Sequence, residues 1–327
     1  MPLLPTDPAV GVHSMAGKAS CCYVDSMNVA FDMGVNFLKS AVQDHVFISH
    51  GHIDHIQALP AHAAERQLNG MKPATYYMPS HLVQHVESIM ASYSKMQETE
   101  IQAVLVGVDA GAVVHVSSRV AVKAFETVHR VASLGYVAYA ISKRLKAEFA
   151  GLSGREIAVL RKQNVVLEDI VWTPTVAYTG DTSIEFYDDP GCCSEFLRSR
   201  VLVTECTFLG DTPVEAKADE TGHIHLNQLA RRLALFQNIS LVLTHFSMRY
   251  SFHDIRNTLT SHLLPREHTL ASPSTPNPPS IAIFMAHGDR WASISHSDVE
   301  DPAAPPPLST SDSPPSILDH SSSTKGL

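Results

Sequence analysis

A short histidine-rich segment constrains the fold most strongly. It reads Ser49-His50-Gly51-His52-Ile53-Asp54-His55 and joins an apolar run to a helical pattern. Because side chains alternate along an extended strand end, His50 and His52 point the same way, while Asp54 and His55 fall where the chain turns into the helix. Four potential ligands exceed the three that a catalytic zinc takes while keeping one open position. The segment predicts a site for two metal ions; the competing interpretation is a histidine-rich turn without metal.

Short apolar runs alternate with helical patterns between about residues 15 and 290, which indicates an α/β chain. The predicted strands are rich in Val, Ile, Phe and Tyr and cover 28–32, 45–49, 75–79, 119–127, 135–141, 175–179, 201–205, 240–244 and 281–286. The predicted helices cover 56–68, 80–96, 153–162, 225–236 and 252–262. Ser153 and Glu156 have capping-box spacing, which predicts that the third of these helices begins at Ser153.

Three further ligand-type residues follow predicted strands directly. His129 ends the run that starts at Val120, Asp181 follows the strand at 175–179, and His245 follows the strand at 240–244. Open α/β sheets place their sites just beyond the carboxyl ends of strands. One such residue alone is usually structural, but three in a chain that already holds the histidine-rich segment favour a shared metal site.

Composition excludes several classes of protein. There is no run of 18 apolar residues, so we expect no membrane span, and the first eight residues do not resemble a secretory signal. Five cysteines, two pairs of them adjacent, make a poor disulfide framework and suggest a reducing compartment. The net charge of −9 argues against a strongly basic nucleic-acid coat. Nineteen histidines are unusual, and histidine is the commonest metal ligand.

The carboxyl-terminal segment differs in composition from the rest. Residues 297–327 hold six prolines, eight serines and five acids against one base, so we expect a disordered, acidic tail. Residues 271–280 have a similar composition and are expected to be a loop insertion. The sequence therefore predicts one domain over residues 1–296, followed by the tail. Residues 1–17 contain no arginine and do not resemble an organelle leader, so we expect the cytosol or nucleus.

The order of the motifs resembles the metallo-β-lactamase superfamily, and finer features resemble ribonuclease Z, the tRNA 3′-processing endonuclease, in its short form. The similarity spans about residues 10–290. The motifs are Ala30-Phe31-Asp32-Met33-Gly34, Leu59-Pro60, His129-x-x-x-Ser133-x-Gly135-Tyr136, Ala177-Tyr178-Thr179-Gly180-Asp181-Thr182, Glu205-Cys206-Thr207-Phe208, Gly222-His223 and His245-Phe246-Ser247-Met248-Arg249-Tyr250. The resemblance implies an αββα sandwich, in which two mixed β-sheets pack face to face and helices cover the outside.

The resemblance also implies a ligand set for two zinc ions per subunit, with Asp181 bridging them. One zinc would be bound by His50, His52 and His129, and the other by Asp54, His55 and His245. A carboxylate can span two cations with its two oxygens. Two zincs can share a hydroxide, because together they lower the pKa of the water from which it forms. The resemblance gives Asp54 a second role in orienting or deprotonating the attacking water. These ligand types are compatible with manganese or iron as well.

Outside the ligands, the resemblance assigns proton delivery to Glu205 and His223. His223 would protonate the departing 3′ oxygen, and the glutamate would orient it; a ribose alkoxide is a poor leaving group without a proton. His225 is the competing histidine, and we expect it to start the helix that follows. Ser247 and Arg249 are expected to contact phosphate, Arg249 through a bidentate fork, with a surface salt bridge as the alternative.

The segment from Lys143 to Lys162 departs from the family. Bacterial members carry a long Gly/Pro-rich arm between the third histidine motif and the bridging aspartate, and this arm clamps the tRNA elbow. Here only 52 residues separate His129 from Asp181. The segment, which we call the basic insert, could be a reduced RNA exosite or an ordinary solvated helical face. Its bases are Lys143, Arg144, Lys146, Arg155, Arg161 and Lys162.

These observations predict a zinc-dependent phosphodiesterase. Its expected reaction is endonucleolytic removal of the 3′ trailer from precursor tRNA, which leaves a 3′-hydroxyl on the tRNA and a 5′-phosphate on the trailer. Precursor tRNA and a second copy of the chain, in a homodimer, are the expected partners by resemblance. Three alternatives stay open: hydrolysis of a small phosphodiester or other ester without tRNA processing, a non-catalytic RNA- or protein-binding module, and a thiol-ester or lactone hydrolase.

Overall fold

The computed structural model describes residues 3–210, 212–264 and 281–295. The predicted insertion at 271–280 and the predicted tail at 297–327 lie outside the described residues. Within the described ranges, no helix is both long and apolar enough to cross a membrane.

The first half of the chain forms a six-stranded mixed sheet in sequence order. Its strands are β1 (Gly11–Met15), β2 (Ala19–Val24), β3 (Val29–Phe31), β4 (His45–Phe47), β5 (Thr75–Pro79) and β6 (Val104–Val108). The first three strands are antiparallel, whereas β3 to β6 run parallel. The loop after β4 therefore leaves the sheet at the edge where parallel strands end, and this loop contains the histidine-rich segment.

Described residues from Val113 onward form an eight-stranded mixed sheet. Its strands are β7 (Val113–Ser117), β8 (Val120–Thr127), β9 (Ser133–Leu145), β10 (Glu168–Tyr178), β11 (Val201–Glu205), β12 (Ser240–Thr244), β13 (Ala282–His287) and β14 (Arg290–Ile294). The spatial order runs from β14 down to β7. Strands β10 to β13 are parallel, and β8 runs in the same direction because two antiparallel pairings separate it from β10.

Nine α-helices of the described residues connect these strands. They are α1 (Leu38–Ala41), α2 (Ile53–Ile56), α3 (Leu59–Leu68), α4 (Val83–Met96), α5 (Gly154–Lys162), α6 (Pro190–Arg198), α7 (Thr212–Thr221), α8 (Leu226–Ala230) and α9 (Phe252–Leu263). Ser153 caps α5 with Glu156 in the predicted capping box. The predicted helix at 56–68 starts only at Leu59, where Pro60 stands in the first turn, because proline cannot donate to a preceding turn.

Aromatic rings from both sheets fill the space between them. Phe31 of the first sheet lies 5.4 Å from Tyr178 and 6.2 Å from Tyr136 of the second, and Phe47 lies 5.3 Å from Tyr136. Two outer cores complete the layers: α3 and α4 pack on the six-stranded sheet, and α6, α8 and α9 pack on the eight-stranded sheet. The predicted αββα sandwich is confirmed, since each sheet packs against the other sheet on one face and against helices on the opposite face.

Buried Arg66 on α3 holds the polypeptide that leads into β4. Its side chain is 1% exposed, and one guanidinium nitrogen lies 2.5 Å from the Asp44 carboxylate. The same guanidinium donates to the backbone carbonyls of Ala41, Gln43 and Lys72. One cation thus satisfies several buried acceptors and fixes the start of the strand that carries the histidine-rich segment.

Replacement of this residue, Arg66→Met, should reduce the free energy of unfolding by about 3 kcal/mol, because it leaves buried carbonyls without a donor and removes one of the cations that contact Asp44, which keeps Lys72 and Asn28. Urea unfolding followed by circular dichroism measures the change. The matched control is Arg161→Met, which removes an ion pair with Glu168 that is 68% exposed on the arginine side and should change stability by less than about 0.5 kcal/mol. Equal losses in the two variants would contradict the role given to Arg66.

Candidate metal centre

Four chain segments meet at one edge of the sandwich, just beyond strands that end there. His50, His52, Asp54 and His55 follow β4, while His129 follows β8, Asp181 follows β10 and His245 follows β12. Gly180 makes the turn before Asp181: its φ is +61°, and a Cβ there would lie 2.6 Å from the Ser49 Cβ. Glycine alone fits this turn without strain.

The first group of ligand-type side chains contains three histidines and Asp181. The His50 Nε2 and His52 Nδ1 atoms are 2.9 Å apart, and the His129 Nε2 lies 3.3 Å from the same His52 atom. The Asp181 Oδ2 is 3.7 Å from the His50 Nε2 and 4.0 Å from the His129 Nε2. All four atoms face a common point and can hold a metal ion.

The second group contains Asp54, His55 and His245, again with Asp181. The two Nε2 atoms of the histidines are 3.3 Å apart, and each lies 3.3 Å from the Asp181 Oδ1. The Asp54 Oδ2 is 3.3 Å from the His245 Nε2 and 3.6 Å from the His55 Nε2. Ligands about 2.0–2.2 Å from a tetrahedral zinc lie about 3.3–3.6 Å from one another. The donor atoms therefore fit one divalent ion.

The Asp181 carboxylate lies between the two groups and turns one oxygen toward each. Its Oδ1 is buried and has no hydrogen-bond partner among the described residues, although two imidazole nitrogens lie nearby. Burial opposes ionisation, but the imidazoles of His245 and His55 hold the pKa of Asp181 well below its usual range. A buried, ionised oxygen without a donor is the pattern expected of a metal ligand.

The electrostatics of His50 and Asp54 also fit metal binding. Burial, followed by the neighbouring imidazole of His55, lowers the pKa of His50 well below its ordinary value. His50 is therefore neutral near pH 7, which is the form that binds metals. Although burial acts against it, the hydrogen bond to His245 lowers the pKa of Asp54 as well, so that this carboxyl group is ionised.

Sequence reasoning missed the role of Asp32, which contacts His55 and Ser49 on the side of the centre away from the donor atoms. Its Oδ2 lies 2.6 Å from the His55 Nδ1 and accepts hydrogen bonds from Tyr178 and the Ser49 hydroxyl, while its Oδ1 accepts one from the Ser49 backbone. The residue is fully buried and has a φ of +57°. Its place directly after the apolar strand β3 was the available signal, the same one that indicated the other strand-end residues.

Two further histidines are oriented by groups outside the metal-facing set. The His129 Nδ1 lies 2.8 Å from the Gly222 carbonyl oxygen, and the His245 Nδ1 lies 3.0 Å from the Thr207 hydroxyl. An Nδ1–H that donates to a carbonyl leaves the Nε2 lone pair free. His129 is thus held as the tautomer whose Nε2 faces the metal position.

Glu205 at the end of β11 connects the bridging turn to His223. The backbone of Thr182 donates to one carboxylate oxygen, and the Thr207 hydroxyl and the Ile224 backbone donate to the other. The His223 Nδ1 lies 3.0 Å from the Glu205 Oε1. Burial opposes protonation of His223, but the Glu205 charge and hydrogen bond outweigh it and raise its pKa to about 9. His223 therefore carries a proton at neutral pH, 4.0 Å from Asp181.

The competing histidine, His225, has a different setting. It is buried at the N-cap of α8, and its Nδ1 accepts a hydrogen bond from the Asn227 backbone. Ser247 and Arg249 follow His245 in the next turn, and the Arg249 Nε donates to the Ser247 hydroxyl. Arg249 is exposed and forms no ion pair with a carboxylate of the described residues, which leaves its guanidinium facing solvent beside the ring of Phe208.

The basic insert lies at the opposite end of the sheet. Strand β9 leaves the metal edge at Ser133, enters the insert at Lys143 and ends within it at Leu145, a run of about 40 Å in all. Strand β10 returns from Glu168, so the insert forms the tip of a long hairpin. Five of its six bases are exposed and one, Lys146, is half-buried. The insert and the metal edge of the same subunit are therefore far apart.

Comparison with known proteins identifies the family. Residues 36–246 match the family model described as "Beta-lactamase superfamily domain". The chain is 38% identical to tRNase Z TRZ1 of Arabidopsis thaliana over 248 residues, which cover 76% of this chain and 88% of the relative. It is 32% identical to the chloroplastic tRNase Z TRZ2 of the same plant over 246 residues, 75% of this chain and 69% of the relative.

A solved structure agrees with the fold. The crystal structure of the human tRNase Z short form aligns with a TM-score of 0.50 and 20% sequence identity, and the alignment covers 73% of this chain and 93% of the human chain. The sequence matches, the sandwich fold and the grouping of the donor atoms all indicate the same family. The chain belongs to the tRNase Z (ribonuclease Z) family of the metallo-β-lactamase superfamily.

Proposed function

We propose that this chain is a metal-dependent endoribonuclease that removes the 3′ trailer from precursor tRNA. The products are a tRNA with a 3′-hydroxyl and a trailer with a 5′-phosphate. The single observation that supports this most strongly is the position of Asp181 between two groups of donors, each arranged for one divalent ion. The names and identities of the relatives support the substrate.

The proposed cofactor is a pair of zinc ions in each subunit. His50, His52 and His129 would hold one, Asp54, His55 and His245 would hold the other, and Asp181 would bridge them. Bound there, the pair would supply a hydroxide at neutral pH and neutralise charge on the phosphodiester. The same ligand types are also compatible with manganese or iron.

Asp54 is proposed to orient the attacking water in addition to its role as a ligand. Its Oδ2 accepts a hydrogen bond of 2.7 Å from the Gly17 backbone amide in the turn between β1 and β2. This bond fixes the carboxylate, so that a free lone pair can accept a proton from water at the same edge. The turn after β1 thus positions the same Asp54 oxygen that belongs to the second donor group.

Proton delivery to the leaving group is proposed for His223. The ring of His223 lies 5.5 Å from that of His245, and its Nδ1 faces Glu205, so its Nε2 carries the proton available for transfer. The 3′ oxygen of the tRNA would accept this proton as its bond to phosphorus breaks. Ser247 and Arg249 are proposed to bind a phosphate on the exposed side of the centre.

The position of the basic insert supports a homodimer. About 40 Å from its own metal edge, the insert of one subunit would bind RNA whose 3′ end lies at the partner's centre. The exposed bases Lys143, Arg144, Arg155, Arg161 and Lys162, with Lys146, would neutralise backbone phosphates there. The cytosol or nucleus is the proposed compartment.

The substitution Asp181→Asn should remove at least one of two bound metal ions and lower kcat for precursor tRNA about a thousandfold or more. Inductively coupled plasma mass spectrometry measures the metal content, and gel analysis of a trailer-bearing transcript measures cleavage. Asp169→Asn, an exposed aspartate at the other end of β10, is the matched control and should leave both unchanged. Full metal content and activity in Asp181→Asn would rule out the bridging role.

A second prediction separates proton delivery from metal chemistry. His223→Ala should lower kcat for precursor tRNA about a hundredfold or more, because the ribose 3′ oxygen needs a proton to depart. Hydrolysis of bis-p-nitrophenyl phosphate should fall much less, since nitrophenolate leaves without one. The exposed His253→Ala is the control. Equal losses on both substrates would assign His223 a structural role, and diester hydrolysis by the wild type without tRNA cleavage would refute the proposed substrate.

The insert can be tested by removing two charges. Lys143→Gln with Arg161→Gln should raise KM for precursor tRNA about tenfold and flatten its salt dependence, while leaving hydrolysis of the small diester unchanged. Lys72→Gln with Lys95→Gln removes the same charge from another exposed surface and should change neither. Mixing the insert variant with Asp181→Asn should bring KM back toward the wild-type value, because mixed dimers combine an intact insert with an intact centre. No restoration would contradict action across the dimer.

A further inference from the structure

A second recess lies away from the metal edge, on the outer face of the eight-stranded sheet. It is a groove of about 610 Å³ that begins where α6 ends, so the helix does not cover the sheet at this point. The volume suits a mononucleotide-sized ligand. We call it the outer groove, and it is lined by Lys123, Tyr139, Trp172, Pro174, Glu195 and Arg198.

Aromatic rings form the floor of the outer groove. Trp172 on β10 is 38% exposed, a large fraction for an aromatic side chain on a covered sheet. Its ring lies 5.6 Å from that of Tyr139 and makes an edge contact at 5.4 Å with His115 of β7. Neighbouring rings hold Trp172 in place while one of its surfaces stays accessible. A fixed, exposed indole is a platform on which a planar base can stack.

Tyr139 adds an unsatisfied polar atom to this floor. The side chain is 5% exposed, and its hydroxyl forms no hydrogen bond with any described residue. A buried hydroxyl without a partner is costly and uncommon. A ligand in the outer groove could supply the missing partner.

A cation and a carboxylate stand side by side at the rim. The Lys123 Nζ lies 3.0 Å from the Glu195 Oε1, and it also lies 4.6 Å above the Phe125 ring, which limits its movement. The Watson–Crick edge of guanine presents an acceptor, O6, next to two donors, N1–H and the N2 amino group. An ammonium beside a carboxylate matches that sequence of acceptor and donors, whereas adenine presents a donor in place of O6.

Arg198 completes the set on the last turn of α6. It is exposed, and its Nε donates to the Ser194 carbonyl, while its two terminal nitrogens form no hydrogen bond with the described residues. A guanidinium at this position can bind a phosphate bidentately. The outer groove thus combines a stacking surface, a base-reading pair and a phosphate ligand.

We propose that the outer groove binds guanine nucleotides, with the base stacked on Trp172, its Watson–Crick edge read by Lys123 and Glu195, and its phosphate bound by Arg198. The groove lies about 20 Å along β10 from the metal edge, and it shares no residue with the metal centre. Binding there goes beyond trailer removal and does not depend on it. The guanine can come from a free nucleotide or from single-stranded RNA.

Tryptophan fluorescence tests the proposal on the full chain. The sequence has two tryptophans, so Trp291→Phe leaves Trp172 as the only one. In EDTA, which prevents cleavage, GMP should quench this fluorescence with saturation, and AMP, CMP and UMP should bind at least about tenfold more weakly. The trinucleotides UGU and UAU form the second arm: saturation by UGU alone identifies RNA as the source, and saturation by GMP identifies the free nucleotide.

Two variants decide the base-reading step. Glu195→Gln should abolish the preference for GMP over AMP, and the exposed Glu87→Gln should preserve it. Isothermal calorimetry on Trp172→Ala, checked for an unchanged thermal midpoint, should show GMP binding weakened at least about tenfold. Linear quenching without saturation by both GMP and UGU, equal affinity for the guanine and adenine probes, or an unchanged preference in Glu195→Gln would each overturn the proposal. Because cleavage is assayed separately, a loss of guanine binding leaves the nuclease proposal standing.

Discussion

The buried charge of Asp181 is the constraint on which the rest of the structure depends. An ionised carboxylate that is 2% exposed costs several kcal/mol unless cations or donors surround it. Imidazoles from three separate parts of the chain do so, and they can reach it only if β4, β8, β10 and β12 end at the same edge. The parallel arrangement of these strands within two sheets meets that requirement.

Two other buried carboxylates maintain this geometry. Asp32 connects the sheets directly, since its oxygens bond to His55 and Ser49 of the first half and to Tyr178 of the second. Glu205, at the end of a strand of the second sheet, connects two loops: it accepts a hydrogen bond from the Thr182 amide and pairs with His223. The centre is therefore supported by rigid elements and by hydrogen bonds that leave its side chains little freedom, which is how metal sites keep their ligands oriented.

The sequence indicated the seven ligand-type residues of the metal centre because they follow apolar runs. The ends of strands can be predicted from apolar runs and turn residues alone. The sandwich fold was predicted from the family resemblance, and the cap at Ser153 from the capping-box spacing of Ser153 and Glu156. Strands β1 and β2 were missed because His13, Ser20 and Cys21 interrupt any clear apolar run, although tertiary packing buries β2 completely. The supporting contacts of Asp32 and the Gly222 carbonyl were also missed, since they join positions far apart in the chain.

The spacing of the donors has a consequence for biosynthesis. His55 and His245 are 190 positions apart, yet their imidazole nitrogens are 3.3 Å from each other. Strand β12, which delivers His245, is flanked on one side by β13, and β13 ends at His287. A nascent chain on the ribosome thus holds four of the seven donor residues long before the other three emerge. The second group of donors can bind an ion with its full ligand set only after His245 has been synthesised, whereas the first group is complete at Asp181. Loading of the whole centre therefore requires a nearly complete chain.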